Sequence, residues 1–268
     1  MIVAKQKPLD AIYRMISQYG RILVAGCGSC VTVCFAGGEK EVGILSSLLR
    51  MRAQKDGREL AVVQATVKRQ CDVEFIDELK AKAEGVDAIL SIGCGAGIQY
   101  VAERFGKMVV LPGLDTTFLG VTEEMGVWSE RCLGCGDCKL HLTAGVCPVA
   151  RCSKSLLNGP CGGSMNGKCE VSDDVPCGWQ LIVDRMEALG VLDGYEQIIG
   201  DNDWTAGRDR GPRVLLPGDP SGALAEGSRL PLLRHSAGTG PGRARGLVRC
   251  LDRGRARGAA AGSRCAPT

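Results

Sequence analysis

Aromatic side chains are scarce in this chain: four Phe, four Tyr and three Trp among 268 residues. Val, Ile, Leu and Ala must therefore fill any core. Histidine is scarcer, two in all, and only His141 precedes residue 208. Neither a Ser/His/Asp nor a Cys/His catalytic pair is visible. No uncharged apolar run approaches ~20 residues, the length that spans a bilayer, so no membrane span is expected. Met1-Ile-Val-Ala-Lys-Gln-Lys-Pro-Leu-Asp10 lacks an apolar h-region and does not read as a signal peptide. These absences point to the cytoplasm, where thiols stay reduced. Residues 208–268 lack lysine and all aromatics, so their positive charge comes without the rings that stack on bases. No nucleic-acid partner is expected.

What is abundant is cysteine. Thirteen of the fifteen lie in the first 177 residues. In a reducing compartment such thiolates are best explained as metal ligands rather than disulfide partners. The densest group is Cys132-Leu-Gly-Cys135-Gly-Asp-Cys138, followed by Cys147-Pro148. A thiolate every third residue, closed by Cys-Pro, is how a short loop wraps an iron–sulfur cube. The gap before Cys147 is longer than in bacterial ferredoxins. Paired C-x2-C knuckles also bind zinc, but three cysteines in one run favour a 4Fe–4S cluster at Cys132, Cys135, Cys138 and Cys147.

Residues 1–128 read as an α/β domain with a parallel sheet. Strands are expected at Arg21–Gly26, Leu60–Val67, Asp87–Ile92 and Lys107–Leu111. Helices are expected at Pro8–Gln18, Gly38–Gln54, from Asp72 to Gly85, and at Ala96–Phe105. Cys27, Cys30 and Cys34 then follow the first strand, Cys71 the second and Cys94 the third. All five fall at the carboxyl edge, where open α/β sheets bind their ligands. Some of them could instead be buried core cysteines. Gly93-Cys-Gly-Ala-Gly97 is neither G-x-G-x-x-G nor a P-loop. Glu39 and Glu41 suit a helix start better than acid/base work.

Residues 129–207 form a small cysteine-rich module. Its remaining thiols, Cys152, Cys161, Cys169 and Cys177, make a second quartet, open between zinc and a cluster. The loops between them hold few apolar residues, so metal is expected to hold the module together. A helix is expected at Gly178–Leu189, with Trp179, Ile182, Val183, Met186 and Leu189 on one stripe. That stripe must dock on this module, on the α/β domain or on a partner. Residues 208–268 carry twelve Arg against four acids, while residues 1–207 are mildly acidic. The Arg/Gly/Ala/Pro composition reads as a basic disordered tail, or as a GC-rich gene translated out of frame. Cys250 and Cys265 are accordingly not counted as ligands.

Cys132-Leu-Gly-Cys-Gly-Asp-Cys138, Cys147-Pro-Val-Ala-Arg-Cys152, Leu157-Asn-Gly-Pro-Cys-Gly-Gly163, Cys169-Glu and Cys177-Gly-Trp together resemble the methylenetetrahydrofolate reductase C-terminal family. Gly26-Cys-Gly-Ser-Cys30 through Gly37-Gly-Glu-Lys-Glu-Val42 resembles the N-terminal half of that enzyme's MetV-type iron–sulfur small subunit. The resemblance covers about residues 1–207. It implies a non-catalytic subunit of an oxidoreductase complex in one-carbon (Wood–Ljungdahl) metabolism, carrying two or three 4Fe–4S clusters. Such a subunit passes electrons between a low-potential donor, such as ferredoxin, and a flavin-bearing reductase subunit that makes methyl-tetrahydrofolate. The alternatives are a zinc-stabilised scaffold and a stand-alone enzyme using a cluster as Lewis acid.

Overall fold

The structure is a computed structural model and describes residues 1–207. The chain divides into Met1–Arg213 and Val214–Thr268. The tail expected over residues 208–268 lies outside the described residues.

The elements in chain order are β1 (Ile2–Gln6), α1 (Leu9–Met15), β2 (Arg21–Cys27), α2 (Cys30–Val33), α3 (Glu39–Lys55), β3 (Ala61–Val67), α4 (Val73–Ile76) and β4 (Ala88–Ser91). There follow α5 (Gly95–Phe105), β5 (Val109–Pro112), β6 (Leu114–Glu124), β7 (Val127–Cys132), α6 (Pro148–Arg151), β8 (Lys168–Cys169), β9 (Ser172–Pro176) and α7 (Gly178–Ala188). The expected parallel sheet is present, in the order β3-β2-β4-β5. Its central strands read as continuous apolar runs because both faces are covered. On one face Ile12, Ile16, Val42, Leu45 and Leu49 pack on Ile22, Val24 and Leu90. On the other, Ile76, Leu79 and Val101 pack on Leu23, Ala25 and Ile89. Each large side chain buried this way contributes about 1.5–3 kcal/mol. Glu41 confirms the helix-start reading: its carboxylate accepts the Gly38 N–H at 2.9 Å.

Two features differ from the sequence reading, and a third decides among its alternatives. First, β1, β6 and β7 form a separate antiparallel sheet. β1 pairs Val3 with Phe118, far along the chain, and Ile2-Val-Ala-Lys-Gln6 has no alternation to announce a strand. Second, the helix expected from Asp72 to Gly85 shrinks to α4 and a 3-10 turn at Asp77–Leu79. Asp72 still caps it, accepting from Glu74 N–H, and Ile76, Leu79 and Ala83 are still buried. Third, the α7 stripe is covered by its own module. Trp179, Ile182 and Met186 are buried with Ile199, against Leu142, Val146, Leu156 and Tyr195. The Trp179 Nε1–H donates to the Leu156 carbonyl at 2.9 Å. Only Leu189, past the helix end, remains exposed. This stripe is therefore not a docking face for a partner, and the module has a small apolar core of its own.

Candidate functional site

The parallel sheet delivers its cysteines to one edge. Cys27 ends β2, Cys30 and Cys34 bracket α2, Cys71 follows β3, and Cys94 precedes α5. Strands β3, β2 and β4 are adjacent, so these residues share the carboxyl edge. Burial pushes the Cys71 thiol up, and the neighbouring Cys94 and Cys27 push it the same way. Cys27 and Cys94 are thus neighbours of Cys71. Cys34 is buried, as Cys27 is, but its Sγ lies 3.7 Å from the carbonyls of Ala4 and Val31. Burial raises its pKa as well. It sits in the core as a small apolar group.

The sheet edge is held by a residue that sequence reasoning passed over. Gln70 is fully buried. Its Nε2 donates to the carbonyls of Ala25 and Gly26 at 3.0 and 2.9 Å, and its Oε1 accepts from the Ser91 hydroxyl at 2.6 Å. The Ser91 oxygen in turn accepts the Gly93 N–H at 3.2 Å. One carboxamide thus ties the end of β2 to the end of β4, with Cys71 and Cys94 on its flanks. Nothing in the run Lys-Arg-Gln-Cys marks Gln70 as buried.

The antiparallel sheet delivers the second group, because β7 ends on Cys132. In the loop that follows, Gly134 and Gly136 have φ of +65° and +88°. Left-handed glycines at both intervening steps let the chain curl from one cysteine to the next. The Gly134 N–H donates to Cys132 Sγ at 3.3 Å, the kind of hydrogen bond that tunes iron–sulfur centres. Asp137 pins the loop. Its carboxylate accepts the Asp203 N–H at 2.8 Å and pairs with Lys139 at 2.8 Å. The N–H and then the ammonium hold its pKa below the usual carboxylate range. Cys147 caps α6, with Pro148 in the first turn. His141 is exposed on a 3-10 turn at Leu140–Leu142.

The last four cysteines, Cys152, Cys161, Cys169 and Cys177, line one small cavity of ≈ 10 Å³, together with Lys154, Pro160, Glu170 and Trp179. Such a space holds about one water-sized sphere. Cys169 lies 3.4 Å from the Ser153 hydroxyl, and that hydrogen bond, followed by the Val171 backbone, lowers its pKa and favours the thiolate. Cys152 and Cys177 are brought together by a tight backbone crossing. A Cβ on Gly178 would stand 2.6 Å from the Arg151 carbonyl and 2.8 Å from the Cys152 nitrogen.

All thirteen cysteines among the described residues are free thiols. No three His, Cys, Asp or Glu side chains among those residues close on one point tightly enough to hold a metal ion. The donor sets nevertheless suit metals. Four cysteines on one small cavity are the residue types of a structural zinc site, and a glycine-turned C-x2-C-x2-C loop with an N–H···S bond fits a cluster.

The fold and these cysteine groups define an α/β protein with two larger sheets and a cysteine-rich module. Residues 111–205 match the family described as methylene-tetrahydrofolate reductase C terminal. The matched stretch takes in the β6–β7 hairpin and the whole module. No curated protein matches the chain, and no solved structure matches it. No helix among the described residues is long and apolar enough to cross a membrane.

Proposed function

We propose that this chain is the iron–sulfur electron-transfer subunit of a methylenetetrahydrofolate reductase complex. It passes single electrons between a low-potential donor, such as ferredoxin, and the flavin of a partner subunit that reduces methylene-tetrahydrofolate. The observation that carries the reading is the Cys132–Cys138 loop, with its left-handed glycines and its Gly134 N–H on Cys132 Sγ. It lies within the stretch matched to the reductase C-terminal family. Cys132, Cys135, Cys138 and Cys147 would hold one cluster, and Cys27, Cys71 and Cys94, with Cys30, a second at the sheet edge. A bound cluster supplies one-electron chemistry at low potential. The protein's own share is to fix the thiolates and to aim N–H donors at sulfur. Folate chemistry belongs to the partner.

The second quartet supports a different metal. Cys152, Cys161, Cys169 and Cys177 line one small cavity, and four cysteines are a donor set that structural zinc takes. We assign it to zinc, with a structural role.

Iron, zinc and acid-labile sulfide analysis of anaerobically purified protein tests both assignments. Sulfide equal to iron is expected, with one zinc per chain. Reconstitution with the flavin subunit tests the role. Electron flow from reduced ferredoxin to folate should stop when the clusters are removed and the zinc retained. An unchanged rate through the cluster-free complex would replace this reading with the scaffold one.

A further inference from the structure

Among the described residues, the two larger sheets end on four edge strands: β3 and β5 in the parallel sheet, β1 and β7 in the antiparallel one. An open edge is a template for another strand, and proteins that stay monomeric blunt it with charge, proline or shortness. Three edges are blunted in this way. β1 carries Lys5, β7 carries Glu130 and Arg131, and β5 is four residues long with Pro112 in it. β3, Ala-Val-Val-Gln-Ala-Thr-Val, is seven residues long with no charge and no proline.

The ladder shows which groups this edge offers. Ala61 N–H donates to Gly20 O, and Val67 O accepts from Gly28 N–H. Residues 61 and 67 thus face β2, and by the two-residue period so do 63 and 65. Val62, Gln64 and Thr66 turn both N–H and C=O outward. That set is self-complementary when a second β3 lies antiparallel with Gln64 opposite Gln64. Val62 then faces Thr66 of the other copy, and each of these pairs exchanges both backbone bonds. At the centre the exposed Gln64 carboxamides each bring a donor and an acceptor. Beyond the strand ends, Glu59 of one copy meets Arg69 of the other. Both are exposed; Arg69 is near Asp72, and Glu59 has no ion pair among the described residues.

We propose that this chain forms a two-fold homodimer through β3, making one continuous sheet across two copies. The occupant of the edge is a second copy of this chain. The symmetry is isologous, as closed dimers require.

The mass of the full chain under anaerobic, reducing conditions tests this. The native protein should sediment as twice 28.3 kDa, and the amides of Val62, Gln64 and Thr66 should gain exchange protection as concentration rises. Gln64→Lys places two ammonium groups on the axis and should weaken the dimer by roughly tenfold or more, without change in far-ultraviolet circular dichroism. Glu59→Arg alone should weaken it, and Glu59→Arg with Arg69→Glu should restore it. A monomer at all concentrations overturns the proposal, as does a dimer indifferent to all three variants. A monomer that pairs only when another protein is added would assign the edge to a foreign strand and overturn it too.

Discussion

At the scale of the residue, Gln70 ties the sheet edge and Asp77 ties the 3-10 turn at Asp77–Leu79 to α5. Gln70 satisfies two carbonyls and the Ser91 hydroxyl from a position with no solvent access. Gln70→Leu keeps the volume but strands those partners in the core. The expected cost is about 1–3 kcal/mol, read from denaturant unfolding. Cys71 should also become more reactive toward thiol reagents, since the carboxamide no longer fixes the turn beside it. Asp77 works on the surface. Both its oxygens accept from Arg104 at 2.6 Å, and Lys80 lies 3.0 Å away. Arg104 first, then Lys80, hold its carboxyl well below the usual range. A depressed carboxyl contributes stability above its unfolded pKa of about 3.9 and loses that contribution as pH falls. The native protein should therefore exceed Asp77→Asn in stability at pH 7, and the gap should close as the pH is lowered below about 4. A gap independent of pH would show that the ion pair contributes nothing.

At the scale of the element, periodicity disclosed what is local and missed what is distant. The four parallel strands and the α3, α5 and α7 helices were legible because apolar runs and one-sided stripes announce them. β1 was not, because its partner is β6 and five residues cannot show a pairing across the chain. The α7 stripe was legible, but its cover was not. Leu142, Val146, Leu156 and Tyr195 are scattered through loops with no common period. That cover makes Ile182 a core residue with no solvent exposure. Ile182→Ala should cost about 2–5 kcal/mol and unfold the module ahead of the parallel sheet in calorimetry. Gly178→Ala tests the crossing that joins α6 to α7. A Cβ there meets backbone, which cannot swing aside as a side chain would. Overpacking of this kind costs about 1–3 kcal/mol, and the variant should lose zinc before it loses iron.

At the scale of the whole molecule, the cysteines sort by the element that delivers them. The sheet edge takes Cys27, Cys71 and Cys94, the end of β7 starts the Cys132–Cys138 loop, and the α6–α7 crossing gathers Cys152 and Cys177 with Cys161 and Cys169. Spacing alone revealed the middle group, since a C-x2-C-x2-C run is local. It left the last quartet open, because gaps of seven and eight residues favour no metal. Three separate deliveries imply three separable losses. Cys135→Ser should remove one cluster's iron and sulfide and leave zinc intact, because its loop is anchored independently through Asp137 to Asp203 and Lys139. Cys161→Ser, on an exposed loop, should remove zinc and lower the module's melting temperature. Iron should change little, because that residue holds no cluster in this assignment. Metal analysis and calorimetry on the two variants decide the matter. If iron falls in both and zinc in neither, the quartet is a cluster site.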